Sequence, residues 1–139
     1  MKSGSTETRL AMSVGLGMLL AAAPMLAHHS FAAVYDDKKS VTIEGTVVQF
    51  SLRNPHSFIF VEAPEPDVRA NDASQPVQRF EVEWFAVHQA KREGVTRDTL
   101  KTGDHVVVTG NPGRNPSDHR LRMLSITRPA DGWKWAGTF

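Results

Sequence analysis

The chain has 139 residues, with 16 Lys and Arg against 15 Asp and Glu and a formal net charge of +1. This near balance argues against a nucleic-acid partner, because binding to phosphates needs a concentrated basic surface. Cysteine is absent, which excludes disulfides, thiol redox chemistry and a lipid-modified cysteine anchor.

The first 27 residues have the three parts of a cleavable export signal. Residues 1–9 are polar with two basic side chains, residues 10–23 are uncharged and apolar, and the segment closes at Ala27. Cleavage there would place residues 28–139 in the periplasm without a stable membrane anchor. The alternative is an uncleaved anchor in the inner membrane, since residues 10–27 approach the length of a membrane span. Pro24 interrupts that stretch and favours cleavage.

The chain after the leader predicts an all-β domain with one short helix. A first strand runs over residues 41–52, and its apolar positions change phase between Val47 and Val48. Because side chains alternate with a period of two, this change predicts a bulge or a sharp bend. Asn54-Pro55 ends the strand, since proline cannot donate to a β-ladder.

The remaining elements have the order of an OB-type barrel, with a small β-sandwich as the alternative. The last strand changes phase at Met123-Leu124, and Gly94 is expected to stop the helix. We therefore expect a signal over 1–27, an N-terminal segment over 28–40 and one five-stranded OB-like barrel domain over 41–139. The elements after the first strand are a strand over 57–63, a polar loop over 63–76, a strand over 78–84, a helix over 85–93, a strand over 105–109, a turn-rich loop over 111–118 and a strand over 121–127.

Two histidines, His28 and His29, would open the processed chain. An N-terminal histidine can bind one metal ion through its α-amine and its ring Nδ1. A histidine in second position can instead combine the amine, the intervening amide nitrogen and its own ring. Both arrangements suit the tetragonal nitrogen geometry that copper(II) prefers, so this end predicts copper as ligand. The alternative is an adventitious affinity without a biological role.

The third candidate ligand is His56, which follows Asn54-Pro55 at the junction of the first two strands. If the N-terminal segment folds back over the barrel rim, His28, His29 and His56 would form a histidine brace, a terminal amine with two imidazoles. The alternative is that His56 caps the turn by binding its backbone. The other three histidines, His88, His105 and His119, fit surface positions. Of these, His119 could be an additional metal ligand.

No catalytic residue is predicted, because no nucleophile–base set, Walker loop or dinucleotide fingerprint is present. Glu81 and Glu83 share one strand face, which is the ordinary pattern of a half-exposed strand. Trp133 and Trp135 indicate a tail that packs back on the barrel. They could instead form an exposed aromatic edge that binds another periplasmic protein, a peptide or a glycan.

Four stretches together resemble a family of short exported bacterial proteins, domain of unknown function 6152. The resemblance covers nearly all of residues 28–139 and implies a periplasmic, single-domain β-barrel protein; it implies no activity. Members typically carry a paired histidine near the processed end and an Asn-Pro-His turn, here His28, His29 and His56. The loop over 63–76, the stretch after Trp84 and the tryptophan-rich end depart from the family pattern. The four stretches are His28-His29-Ser30-Phe31-Ala32-Ala33, Val41-Thr42-Ile43-Glu44-Gly45-Thr46-Val47, Asn54-Pro55-His56 and Gly94-Val95-Thr96-Arg97-Asp98-Thr99-Leu100-Lys101-Thr102-Gly103-Asp104.

Three functions are compatible with these patterns. The favoured one is a non-enzymatic copper carrier, buffer or delivery protein that uses His28, His29 and His56. The second is a metal-free interaction module whose barrel rim and tryptophans bind a partner. The third is a copper-dependent oxidase, since a histidine brace can activate oxygen, but the sequence offers no evident substrate surface around the site.

Overall fold

The structure is a computed structural model that describes residues 31–66 and 74–137. The chain divides into two compact units, Met1–Ala33 and Val34–Phe139, and the second contains the β-sheet. The proposed leader, His28 and His29 lie outside the described residues. Within the described part, no helix is both long enough and apolar enough to cross a membrane.

The described residues form six strands in one sheet, with the order β3-β2-β1-β4-β5-β6. All sequential neighbours in this order are antiparallel, and a parallel pairing of β3 with β5 closes the first five strands into a barrel. The expected all-β, OB-like five-stranded barrel is confirmed. The elements are β1 Val41–Ser51, β2 Ser57–Pro64, β3 Val77–Trp84, helix α1 Val87–Arg92, β4 His105–Pro112, a short 3-10 turn Pro116–Asp118, β5 Arg120–Arg128 and β6 Trp133–Ala136.

The predicted bulge in β1 is present. Its register with β2 passes from Val47↔Val61 to Gln49↔Phe60, so Val48 has no partner in that ladder. The first half of β1 pairs with β4 and the second half pairs with β2. One strand therefore serves both sides of the barrel, because the extra residue bends it and shifts its apolar positions to the other parity.

A second irregularity lies where the sequence predicts it, in β5. Leu124 has no partner in β4, because Met123 pairs with Gly110 and Ser125 pairs with the preceding residue of β4. Strand β4 runs to Pro112, past its expected end at the start of a turn-rich loop. The pairing of Asn111 and Pro112 with β5 overrides that local turn signal, and Asn111 Nδ2 also donates to the backbone oxygen of Lys39 at 2.7 Å.

Helix α1 is shorter than expected and starts at Val87. Phe85 is buried and stacks on Trp84 with ring centroids 4.2 Å apart, so the chain turns into the core before the helix begins. The helix stops before Gly94, as predicted, and this glycine has a φ of +70°. Ala90 on α1 is fully buried within the core, so α1 covers the end of the barrel where β3 finishes.

The end of the chain adds a sixth strand that the sequence does not predict as such. β6 pairs with β5, and the ring of Trp135 lies 5.2 Å from those of both Trp84 and Phe85. The Arg128 guanidinium lies 5.5 Å above the ring of Trp133. Both tryptophans are half-buried against the core, as expected for a tail that packs on the barrel.

Candidate functional site

His56 lies in the turn between β1 and β2, directly after the cis peptide bond Asn54–Pro55. Two neighbouring side chains hold this turn. Ser57 Oγ accepts from the backbone N–H of Arg53 and donates to its carbonyl, and Asn54 Oδ1 accepts from the N–H of Val87 at the start of α1. The turn is thereby fixed to the helix, and the side chain of His56 is 35% exposed.

The His56 ring lies against Glu83 on β3. Its Nδ1 is buried and stands 3.2 Å from Glu83 Oε1, an ion-pair distance that is not aligned as a hydrogen bond. The Glu83 side chain is only 13% exposed, and it contacts both His56 and Tyr35. Glu83 thus faces the Nδ1 side of the His56 ring.

The other oxygen of Glu83 accepts a short hydrogen bond from Tyr35. The Tyr35 hydroxyl donates to Glu83 Oε2 at 2.6 Å, and Tyr35 is 2% exposed. Burial, reinforced by the hydrogen bond to Glu83, holds the pKa of Tyr35 well above its usual value. The hydroxyl therefore remains a donor near neutral pH. Tyr35, Glu83 and His56 form a continuous array, which we call the Tyr–Glu–His relay.

The backbone on either side of Tyr35 is held as an additional short strand. Tyr35 forms an isolated antiparallel bridge with Gly113. Asp36 N–H donates to the Pro112 carbonyl at 2.9 Å, and Arg114 N–H donates to the Val34 carbonyl at 2.9 Å. These bonds tie the segment before β1 to the end of β4, which brings the Tyr35 ring to the outer face of β3.

Glu81, the second carboxylate on this face, has a different partner. Arg120 Nη2 donates to Glu81 Oε1 at 2.7 Å, and the two residues are opposite each other in the parallel β3–β5 pairing. Glu81 and Glu83 thus do not form a carboxylate pair for acid–base chemistry. Each faces outward, as expected for a half-exposed strand, but each is committed to its own partners.

The predicted histidine set is only partly within the described structure. His56 is described, whereas His28 and His29 lie outside the described residues. Across residues 31–66 and 74–137, no group of three or more His, Asp and Glu side chains is arranged to hold a metal ion. The copper site that combines the three histidines therefore stays a prediction.

The remaining histidines have separate environments. His88 is exposed on α1. His105 Nε2 lies 2.8 Å from Glu44 Oε1 across the β1–β4 pairing, and His105 is exposed as expected. His119 Nε2 lies 2.7 Å from Glu65 Oε1 at the opposite end of the barrel from α1.

Tyr35 and Glu83 were not predicted as site residues. Glu83 has the ordinary alternation of a strand, and Tyr35 lies in a polar linker. Their contact joins residues 48 positions apart, so no local pattern reports it. The one usable signal is that Tyr35 is the only tyrosine of the chain.

Comparison with known proteins gives a family and no activity. The sequence profile of a family described as "Family of unknown function (DUF6152)" matches residues 17–122. This range contains all three predicted histidine ligands and the whole Tyr–Glu–His relay. No curated protein and no solved structure matches the chain. A functional assignment must therefore come from the chemistry of the site.

Proposed function

The chain belongs to the DUF6152 family, and we propose that it is a non-enzymatic copper-binding protein of the periplasm, acting as a carrier, buffer or delivery factor. Its ligands are the α-amine and ring of His28 at the processed N-terminus together with His29 and His56. The Tyr–Glu–His relay carries this proposal, because metal-binding histidines almost always direct their second ring nitrogen at a carboxylate or carbonyl that orients them.

The contact between His56 and Glu83 favours one ring nitrogen of His56 as the metal ligand. Glu83 Oε1 faces the buried Nδ1 at 3.2 Å, so the carboxylate favours the tautomer with its proton on Nδ1. Nε2 then carries the lone pair that a metal requires. Because Tyr35 fixes the other oxygen of Glu83, the carboxylate itself has little rotational freedom.

Chain length limits how far the N-terminal histidines can lie from the relay. His29 precedes Tyr35 by six residues, and a fully extended chain spans about 3.3–3.6 Å per residue, so their Cα atoms lie within roughly 22 Å of each other. A short tether of this kind corresponds to an effective concentration in the millimolar range. In the proposed site, all three histidines belong to one chain, so copper would bind them as an intramolecular set.

The donor set selects the metal. One amine and several imidazole nitrogens, without any thiolate, suit copper(II). Among the first-row divalent metals, copper(II) binds such nitrogen ligands most tightly. Zinc also binds imidazole, but it prefers a tetrahedral site and ranks below copper in the same series.

The test compares copper(II) binding by the protein that begins at His28 with the same protein after acetylation of its α-amine. Acetylation removes one proposed ligand and leaves every side chain unchanged. We expect one equivalent of copper to bind with a nitrogen-rich EPR spectrum, and we expect acetylation and His56→Ala each to weaken binding strongly. His88→Ala is the matched control. Equal binding by the free and the acetylated proteins would refute the proposal.

Two other functions can be distinguished from copper carriage by simple measurements. A copper-dependent oxidase would use the same ligands, and hydrogen peroxide consumption by the copper-loaded protein would identify it. A metal-free interaction module would depend on Trp133 and Trp135, whose half-exposed faces remain after β6 packs on the barrel. Trp133→Ala would then reduce partner binding, whereas His56→Ala would not.

A further inference from the structure

The barrel end opposite α1 contains a pocket of about 180 Å³. It lies where β1 begins, β4 ends and β5 begins, and no residue of the Tyr–Glu–His relay lines it. Its lining is mainly apolar, and the residues that form it include Val41, Phe80, Leu121, Pro66, Pro112 and Pro116. Apolar pockets with a few polar groups at the mouth are the usual form of small-molecule sites.

The polar groups at the mouth are already arranged in pairs. His119 Nε2 lies 2.7 Å from Glu65 Oε1, and Arg120 Nη2 donates to Glu81 Oε1 at 2.7 Å. Because each basic group faces a carboxylate, the mouth is a poor site for an anion. A carboxylate can accept more than one hydrogen bond, so Glu65 can also accept from a ligand hydroxyl.

His119 adopts a backbone conformation that residues other than glycine rarely adopt. Its φ and ψ are both +46°, in the left-handed region. This conformation places its ring edge-on to Phe80, with centroids 5.4 Å apart, and within hydrogen-bond distance of Glu65. Strained residues of this kind persist where the surroundings enforce them, and they cluster at ligand sites.

We propose that this pocket binds a small uncharged ring compound that carries one hydroxyl group. The ring lies among Phe80, Leu121 and the prolines, and the hydroxyl donates to Glu65. A dry apolar cavity of about 150 Å³ is known to hold benzene, so a pocket of about 180 Å³ accommodates a single six-membered ring. The inference does not depend on copper binding and stands or fails separately from it.

The experiment is a titration of the protein with phenol and with benzene, followed by NMR of the valine and leucine methyl groups. We expect saturable shifts at Val41 and Leu121, with phenol bound about three- to tenfold more tightly because it adds one hydrogen bond. Val41→Phe fills the pocket and should abolish the shift at Leu121 with both phenol and benzene. Val107→Phe, a half-buried valine of β4 that does not line the pocket, is the matched control and should leave both affinities unchanged.

A second variant tests the hydroxyl contact and does not depend on Val41→Phe folding. The Glu65 side chain is 45% exposed, so Glu65→Ala removes the acceptor at little cost to the fold. We expect phenol to lose its advantage over benzene while the benzene affinity stays the same. Absence of saturable shifts, wild-type affinities in a folded Val41→Phe, or an unchanged phenol preference in Glu65→Ala would overturn the proposal.

Discussion

Glu83 connects the two described side chains of the proposed copper site. Its Oε2 accepts from the Tyr35 hydroxyl, and its Oε1 faces His56 Nδ1. Glu83→Gln keeps the size of the side chain but removes the negative charge that favours a proton on Nδ1. We expect copper affinity to fall about 10- to 100-fold, the usual effect of losing an outer-shell carboxylate, as measured by competition with a chelator of known affinity.

The matched control for this change is Glu81→Gln. Glu81 lies two residues earlier on the same face of β3, but it binds Arg120 instead of His56. Its loss should leave copper affinity nearly unchanged. Comparable losses in both variants would mean that general surface charge, not orientation of His56, determines the affinity.

Tyr35 also contributes to stability. Tyr35→Phe keeps the buried ring but removes the hydroxyl that donates to Glu83 at 2.6 Å. Hydrogen bonds to charged groups contribute about 1.5–3 kcal/mol, so we expect a loss of this size in the free energy of unfolding in urea. In the Glu83→Gln background the same change should cost clearly less, because the two residues interact directly. Equal costs in both backgrounds would contradict the relay.

At the level of elements, the bulge divides β1 into two halves that pair in two different ladders. Gly45, in the first half, is closely packed. A Cβ at Gly45 would lie within 3 Å of the Glu62 backbone and of the Ala63 side chain. Overpacking in a core typically costs about 1–3 kcal/mol and occasionally more. We expect Gly45→Ala to lower the free energy of unfolding by the upper part of this range or beyond, as measured by chemical denaturation.

The comparison for this prediction is Gly94→Ala after helix α1. Gly94 has a φ of +70° and open space around it. Alanine at this position would therefore be disfavoured by its backbone conformation but would not collide with neighbouring atoms. The left-handed conformation costs an L-residue roughly 1–2 kcal/mol. A smaller loss at Gly45 than at Gly94 would contradict the close packing of β1 against β2.

Arg128, at the end of β5, forms hydrogen bonds with three different segments of the chain. It donates to the Thr99 carbonyl at 2.6 Å, to Asp104 Oδ2 at 2.8 Å and to Asp131 Oδ2 at 2.8 Å. Burial alone would raise the pKa of Asp104, but the Lys101 N–H and Arg128 outweigh it and lower the pKa below its usual value. The hydrogen bond from Arg128 is the main reason that the pKa of Asp131 is also lowered.

These shifts predict a pH dependence. A carboxyl whose pKa is lower in the folded state stabilises the fold above its unfolded pKa, about 3.9 for Asp. That contribution is lost as the pH falls through the folded value. We expect the free energy of unfolding to fall between pH 5 and pH 2, and Arg128→Lys, which loses the forked geometry, to reduce that fall. Arg79→Lys, an exposed arginine over Phe60, is the control and should leave the pH dependence unchanged.

The elements show which features a local pattern can predict. The phase changes at Val47-Val48 and Met123-Leu124 predicted both irregular registers, because alternation reports which face of a strand is buried. The start of α1 and the extension of β4 to Pro112 were missed. In both cases tertiary contacts decided: Phe85 packs on Trp84, and Pro112 pairs with β5.

On the scale of the molecule, closure of the barrel depends on contacts between distant residues. The parallel pairing of Glu81 with Arg120 joins β3 to β5, and the hydrogen bond from Tyr35 to Glu83 joins the N-terminal segment to β3. The order of strands and helix along the chain predicted the five-stranded OB-like barrel. It could not predict these contacts, so His56 was predicted as a ligand without the side chains that orient it.

The two ends of the barrel have different chemistry. The end that α1 covers carries His56, in a turn fixed to the helix by Asn54. The opposite end carries the apolar pocket with His119 and Glu65 at its mouth. His56 and the pocket thus lie at opposite ends of the barrel, and we expect variants at one end to leave binding at the other unchanged.

Copper binding at the processed N-terminus can be tested by native mass spectrometry of the protein recovered from a Gram-negative periplasm and supplied with one equivalent of copper(II). We expect a chain that begins at His28 and carries one copper ion, and we expect His56→Ala to lose that ion. A chain that retains residues 1–27, or copper retained equally by His56→Ala, would contradict this expectation.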